Sequence, residues 1–498
     1  MFKKKIELIK PITYPDGAEL AGQFQLGSDN RLYRSLIRLF EAFWIYNKKE
    51  LYLVGGCVRD MLLGKTPKDY DLCTNATPDE VKEISKALGL KTFDSGIKHG
   101  TLTVIDDFHG QSYEVTTYRV DGKYSDGRHP DEVVFTPSLE EDLKRRDFTI
   151  NSFAYDMLRQ ELLALDESYF KDLEYGMIRT VGKAEDRFTE DALRMLRAFR
   201  FMAQLGFSID ADTFEAIKKV NHLIVNVSKE RIRDELTKIL LSDNPQVLEL
   251  FIISGLEPYC ISGPVDENGC ILTITPMTDI LRCQHDNPWH YTDVFHHTMD
   301  VIKRAPKNFE SRWAALFHDF GKPATKQLKE GTTNHYNYHG HPDVSAVIAG
   351  YVMEILKFSN EQKYLIDKYV KYHDLDLVSC KNATFKRVLN EIGVDKFTDF
   401  IKLKQADALA HQISRDTKWA IDTITKLYAR YDKVITESQA LTVRDLDIDG
   451  YDLMELGFQG KAIGDCLNSL LEAVLEDADL NKKEKLIEMA LQSKADNV

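Results

Sequence analysis

Leu53-Val54-Gly55-Gly56-Cys57-Val58-Arg59-Asp60, followed after eight residues by Asp69-Tyr70-Asp71, is the stretch on which the reading of this chain turns. Leu51 to Val54 reads as a short strand that feeds a glycine pair and then a helix. Paired glycines let backbone N–H groups approach an anion with no Cβ in the way. A helix N-terminus favours negative charge, and Arg59 in its first turn adds a forked cation. Asp69 and Asp71 alternate along what reads as the next strand, so both carboxylates are expected on one face, close enough to share divalent cations. Each part alone is commonplace. Their joint arrangement is rare and points to metal-assisted phosphate chemistry.

Working outward, the spacing of apolar residues predicts an amphipathic helix from Leu32 to Lys49. Strands are expected over Thr101 to Ile105 and Gln111 to Tyr118. Glu140 to Asn151 sets paired arginines, Arg145 and Arg146, beside Asp147, ahead of an expected helix. Glu190 to Arg200 places Arg194, Arg197 and Arg200 three apart along one helix, hence on one stripe. Leu193, Leu196 and Phe199 form a parallel apolar stripe whose burial would fix where the arginines point. A third metal-assisting carboxylate has two candidates, Asp147 and Glu114, and the sequence does not choose between them. From Thr189 onward the pattern is helical almost to the end, so the fold class is α+β: a mixed-sheet head followed by all-α segments.

Composition sets limits. At 498 residues the chain is too long for one core,. A hydrophobic fraction of 43% with 29% charged residues is that of a globular protein,, and no run approaches the roughly 20 apolar residues of a membrane span. Met1-Phe2-Lys3-Lys4-Lys5 has no apolar segment behind it and does not read as a signal peptide. The seven cysteines are scattered without a CxxC pair, which fits reduced thiols in the cytoplasm. A net charge of −14 excludes a general nucleic-acid coat and leaves RNA contact to particular residues,.

A second constellation lies further on. Nine of the 14 histidines fall between His285 and His373. His297, then His318-Asp319 followed by Phe320-Gly321-Lys322-Pro323, then His341, His373 and Asp407 form a mixed N/O donor set suited to Mn²⁺, Fe²⁺, Ni²⁺, Zn²⁺ or Mg²⁺. Nearer the C-terminus, Leu456 to Lys461 reads as a glycine turn opening a helix. That helix would bury Ile463, Leu467, Leu470, Leu471, Val474 and Leu475. Lys461 beside the turn has the chemistry to hold one RNA phosphate, and an ordinary αα-hairpin explains the pattern equally well.

From Leu51 to Phe207 these motifs resemble the class II tRNA nucleotidyltransferases and bacterial poly(A) polymerases. Trp289 to His411 resembles the HD-type metal-dependent phosphohydrolases. The first resemblance implies a polymerase-β-like head in which Asp69 and Asp71 bind Mg²⁺, while Gly56, Arg59 and Arg146 bind phosphate. It further implies that Asp191 and Arg194, from Glu190-Asp191-x-x-Arg194, recognise the incoming base in place of a template, with Arg197 and Arg200 as further nucleotide contacts. The second resemblance makes His297, His318, Asp319 and Asp407 ligands of a transition metal such as Mn²⁺ or Ni²⁺, with His341 and His373 as additional ligands. The expected reaction is CCA addition to tRNA from CTP and ATP. Asp121 to Pro130 is similar to the flexible loop of CCA-adding enzymes, and the C-terminus lacks the basic tail of poly(A) polymerases. Poly(A) addition and a phosphohydrolase with a non-catalytic RNA-binding head are the alternatives. Expected segments are an N-terminal extension 1–49, head 50–175, neck 176–261, linker 262–284, HD domain 285–412 and an RNA-binding tail 413–498. No membrane and no obligatory protein partner are expected.

Overall fold

An uninterrupted apolar strand is buried on both faces, and Leu51–Val54 is buried at all four positions. In the computed structural model, which describes residues 30–46, 48–122, 133–265, 271–286, 292–411, 417–437 and 440–496, this strand lies in the interior of a seven-stranded sheet. In chain order the strands are β1 (Leu51–Val54), β2 (Asp71–Thr74), β3 (Lys91–Gly96), β4 (Thr101–Asp106), β5 (Gln111–Thr117), β6 (Arg119–Asp121), β7 (Val133–Phe135), β8 (Phe153–Asp156) and β9 (Glu161–Ala164). The sheet runs β3-β4-β5-β2-β1-β8-β9, and β6 pairs with β7 apart from it. Only β2 and β5 pair in parallel within this sheet. The expected loop from Asp121 to Pro130 lies, from residue 123, outside the described residues.

The helices as far as residue 240 are α1 (Asn30–Ile45), α2 (Gly56–Leu62), α3 (Pro78–Ala87), α4 (Leu139–Lys144), α5 (Ser168–Glu174), α6 (Ala184–Glu190), α7 (Leu193–Leu205), α8 (Ala211–Val220) and α9 (Lys229–Leu240). α1 buries Leu36, Leu39, Phe40 and Phe43, the apolar stripe the spacing predicts,. α3 starts at a capping box between Thr77 and Glu80 with proline in its first turn,. Along α7, Leu193, Leu196 and Phe199 are buried, and Phe199 meets Phe214 and Phe251 edge to face at 6.4 and 5.9 Å,. That burial fixes the rotation of α7 and so the direction of its arginines.

Two sequence expectations are corrected here. Asp69 does not lie on a strand: the β1–β2 ladder ends at the pair Val54–Asp71, because β1 turns at Gly55 and offers nothing beyond to pair with. The arginine pair does not precede a helix. It follows α4, and the next turn is a short 3₁₀ segment, Thr149–Asn151, leading into β8.

Contacts divide the chain into two units, 1–239 with 250–260 and 240–249 with 261–498. The second unit is mainly helical. The segment 262–284 contains an antiparallel strand pair, Ser262–Val265 with Ile271–Thr273, and the helix Pro276–Leu281. Near the C-terminus, Leu470, Leu471, Val474 and Leu475 on the helix Lys461–Glu476 pack with Leu453, Leu486 and Ala490, with Ile463 and Leu467 partly buried against them. Among the described residues no helix is long and apolar enough to cross a membrane.

Replacing Phe199 with alanine is expected to destabilise the first unit by about 3–5 kcal/mol through the cavity it leaves. The check is a thermal or urea unfolding transition that moves well below the parent's.

Candidate active site

β2 and β5 run side by side with Asp71 opposite Glu114, so two carboxylates share one face of neighbouring strands,. Asp71 is half-buried, and its carboxyl is pushed up from its ordinary value by burial, by Glu114 and by Asp69, against the pull of Arg146. Asp69 and Glu114 are exposed. A carboxyl whose proton affinity is raised by neighbouring carboxylates is a place where a cation relieves repulsion,. They stand apart, however. Among the described residues, the groups of three candidate ligands whose atoms lie within 4.8 Å of one another are all histidine–aspartate groups of the second unit.

Next to Asp71 the glycine turn does what no other residue would allow. Gly55 has φ +74°, and a Cβ there would sit 3.1 Å from Arg146 Nη1 and 3.9 Å from Asp71 Oδ2,. The anion-binding expectation named Gly56; the conformationally demanding position is Gly55. Arg59 Nη1 donates to Asn151 Oδ1 at 2.7 Å, while its Nε and Nη2 donate to Asp60. Arg146 Nη2 pairs with the buried Asp142 at 3.2 Å, and its Nε is buried without a hydrogen-bond partner.

Asp147 is turned towards α7. Its Oδ2 accepts from Arg197 Nε and Nη2 at 2.8 and 2.5 Å, and its Oδ1 accepts from the Phe148 N–H and from Asn151 Nδ2 at 2.8 and 3.1 Å. Burial alone would raise its pKa, but Arg197 and Asn151 together hold the carboxyl well below the usual range,. All the accepting capacity of Asp147 visible here is spent on holding protein.

Arg194 donates through Nη1 to Glu190 and to the Arg187 carbonyl at 2.6 and 3.1 Å, and through Nη2 to the Arg145 carbonyl at 3.1 Å. Asp191 ends α6 and accepts from the Leu193 N–H at 3.0 Å and from Arg231 Nη2 at 3.2 Å. Arg200 pairs with Glu235 at 3.2 Å, and burial, reinforced by Arg197, lowers it to about 10. The Phe201 ring lies among Arg200, Arg59 and Arg197 at 4.2, 5.2 and 5.4 Å,.

One cavity of about 520 Å³ is lined by Gly55, Gly56, Arg59, Asp71, Arg146 and Asp147 together with Asp191, Arg194, Arg197 and Arg200. Residues far apart in sequence thus face one space, while Asp69 and Glu114 are not in its lining. Asn151, Phe201 and Arg231 also line it and were not singled out from the sequence. Phe201 carried a faint signal, as a large apolar residue off the buried stripe of α7. Arg231 carried none, since Lys229-Glu230-Arg231-Ile232-Arg233-Asp234 reads as an ordinary solvated helix start.

The second unit draws the histidines together. His297 Nε2 lies 3.1 Å from Asp407 Oδ1 and 3.6 Å from Asp319 Oδ2. His318 Nε2 lies 3.1 Å from Asp319 Oδ2, and His341 Nε2 lies 3.4 Å from Asp319 Oδ1 and 3.2 Å from His373 Nε2. The opposite ring nitrogens of His318, His341 and His373 each meet a backbone carbonyl, of Ala315, Tyr338 and Val370, at 2.8, 2.9 and 2.7 Å. A carbonyl only accepts, so Nδ1 keeps the proton and the Nε2 lone pair faces inward, the tautomer a metal requires. Burial pushes His297 down, and burial with His318 and His341 pushes His373 to about 3. His318 instead rises, because Asp319 outweighs its burial. Neither oxygen of the buried Asp319 accepts a well-formed hydrogen bond, although the Lys322 ammonium lies 2.7 Å away. Gly321 permits this packing: a Cβ there would come within 2.4 Å of the His341 carbonyl. Sequence reasoning missed His411, which joins His297 and Asp407 in one candidate ligand group.

A mixed sheet presenting Asp71, a glycine turn and an arginine-bearing helix around one cavity defines a nucleotidyltransferase head. The family model described as the poly A polymerase head domain matches residues 51–179, and one described as a probable RNA and SrmB-binding site of polymerase A matches residues 206–259. The CCA-adding enzyme of Ligilactobacillus salivarius is 35% identical over 446 residues, 89% of this chain and 92% of that protein. That of Leuconostoc mesenteroides is 49% identical over 217 residues, 43% of this chain and 52% of that protein. The crystal structure of the Bacillus stearothermophilus CCA-adding enzyme in complex with CTP superposes with a TM-score of 0.63 at 25% identity, covering 94% of this chain and 99% of that one. The chain belongs to the CCA-adding enzyme family and is a tRNA nucleotidyltransferase.

The depressed carboxyl of Asp147 makes a pH prediction. A carboxylate whose folded pKa lies below its unfolded value of about 3.9 adds stability above that value, and loses it as pH falls towards the folded pKa. Asp147→Asn is therefore expected to be less stable than the parent at neutral pH, with the gap narrowing below about pH 4. Urea unfolding midpoints of both proteins across that range provide the check.

Proposed function

We propose that this chain adds CMP and AMP, from CTP and ATP, to the 3′-hydroxyl of tRNA to build or repair its CCA end, releasing pyrophosphate. The observation that carries the proposal is the single cavity in which the glycine turn, Asp71, Arg146, Asp191 and Arg194 meet. Asp69, Asp71 and Glu114 are the residues that would hold Mg²⁺. Their oxygens are hard donors, and the raised carboxyl of Asp71 is what a bound cation would reverse,. Mg²⁺ there supplies charge neutralisation on the triphosphate and eases ionisation of the attacking hydroxyl. Glu114 is preferred over Asp147 as the third carboxylate, because Asp147 is committed to Arg197.

The protein's own groups divide the remaining work. The Gly55–Gly56 turn, Arg59 and Arg146 receive triphosphate oxygens. Arg194 donates to a ring nitrogen and Asp191 accepts from an exocyclic amine, a pattern cytosine and adenine share and uracil and guanine reverse. Arg197 and Arg200 add positive potential along the same wall. The glycine turn at Gly460 and Lys461 is the proposed phosphate contact of the tail, and the cytoplasm the proposed site of action. The proposed division into head 50–175, neck 176–261, HD domain 285–412 and tail 413–498 follows these roles.

Asp71→Ala is expected to lower nucleotide addition by about a thousandfold or more, and Glu114→Gln to raise the Mg²⁺ concentration needed for half-maximal activity. Incorporation of labelled CMP into tRNA lacking its end, titrated with Mg²⁺, measures both. Near-parental addition by folded Asp71→Ala would end the assignment.

A second activity is proposed for the histidine centre: hydrolysis of terminal phosphates or 2′,3′-cyclic phosphates, which would clear a damaged tRNA end to a free hydroxyl. The inward Nε2 lone pairs support it. His297, His318, Asp319 and Asp407, with His341 and His373, would hold a transition metal such as Mn²⁺ or Ni²⁺, which supplies a water ionisable at neutral pH. Asp319 stays ionised because His318, Lys322 and His341 outweigh its burial. The double variant His318→Ala/Asp319→Ala is expected to lose hydrolysis of 2′,3′-cyclic AMP while adding nucleotides to an intact 3′-hydroxyl at the parental rate. Circular dichroism establishes folding first. Parental hydrolysis by the folded variant, or a parent inactive with Mn²⁺, Ni²⁺, Co²⁺ and Mg²⁺, would overturn this reading.

A further inference from the structure

We propose that Arg231 is a positioning residue for base selection. It holds the Asp191 carboxylate in the orientation that accepts the exocyclic amine of the incoming nucleotide. The inference rests on the role proposed above for Asp191. Three observations support it. Arg231 Nη2 is 3.2 Å from Asp191 Oδ2, while Asp191 Oδ1 accepts from the Leu193 N–H at 3.0 Å, so each oxygen is tied by one donor. A carboxylate oxygen accepts two hydrogen bonds, so each keeps one free direction, and two tethers fix which way those directions point. Arg231 itself lines the nucleotide cavity.

The third observation is Arg231 Nη1, which is buried with no hydrogen-bond partner. A buried donor left unmade is costly, and one beside a cavity is placed for a polar atom of whatever fills it. The neighbours on α9 sharpen the contrast. Glu235, one turn further along the same face, pairs with Arg200,. Arg233 pairs with the exposed Asp234 and does not line the cavity. Arg231 and Glu235 thus reach the turn before α7 and α7 itself from one face of α9. One orients the base-reading carboxylate, and the other pairs with the last arginine of the stripe.

The test uses full-length protein, tRNA lacking its CCA end, and CTP, ATP or UTP supplied singly, with kcat and KM measured for each. Arg231→Gln should reduce the preference for CTP over UTP by about tenfold, the scale of one hydrogen bond to a charged group. Arg231→Lys keeps the charge without the fork and should recover part of the preference. The decisive arm combines Arg231→Gln with Asp191→Ala. If Arg231 acts through Asp191, its substitution should change the preference by no more than about twofold once that carboxylate is gone. A purely structural arginine would lower addition of CMP and UMP alike in both backgrounds, and that result would overturn the proposal. An unchanged preference in folded Arg231→Gln or Arg231→Lys would do so too. If Asp191→Ala alone leaves the preference intact, the failure belongs to the templating role of Asp191. If Asp191→Ala abolishes the preference and the Arg231 variants keep it, only the present inference fails.

Discussion

The buried carboxylate of Asp147 is the knot of the nucleotidyltransferase head. Arg197 reaches it from α7, and the Asn151 side-chain amide donates to it from the 3₁₀ turn, while Asn151 Oδ1 in turn accepts from Arg59 of α2. The helix after the glycine turn, the turn after the arginine pair and the arginine helix are tied through one charged group. Burying a carboxylate is unfavourable unless it is paired and hydrogen-bonded, and here it has both. The wall built on the glycine turn and the wall that carries Arg194 and Arg197 therefore keep a fixed relation. A fixed relation is what selection by protein side chains needs, because hydrogen-bond discrimination falls off steeply with misplacement.

Much of this was legible in the sequence, for identifiable reasons. β1 announced itself as an apolar run before two glycines, and α7 by two stripes at helical spacing. Such patterns are local, and the physics behind them is local too. The reading of Asp69 as a strand residue failed because strand limits are set by the partner, and β1 ends at Val54. The choice between Glu114 and Asp147 could not be made along the chain. The preference for Glu114 proposed above rests on the parallel register of β2 with β5 and on the ion pair of Asp147 to Arg197, both long-range facts. Arg231 was invisible for the same reason: its partner is an aspartate 40 residues away, at the end of another helix.

The histidine centre was legible in composition and spacing, because histidines crowd there beyond any need of a helical core. The sequence did not convey the uniform orientation of the rings. Backbone carbonyls fix the Nδ1 protons, those of Ala315 and Val370 in the last turns of helices and that of Tyr338 in the segment before another, and they are identified only once the chain is placed. His411 joined the group through its position one turn past Asp407, at the end of the helix Val394–Ala410.

The parallel pairing of β2 with β5 has a consequence for the order in which the head assembles. Asp71 and Glu114 become neighbours only after α3, β3 and β4 have been laid between their strands, since parallel strands need a crossover,. Closing so long a segment is entropically slow, and pairings of this kind form late in folding. A chain emerging from the ribosome therefore carries the glycine turn and the first aspartates well before it carries a complete carboxylate row. Asp71 and Glu114 thus face each other only once β5 has joined β2.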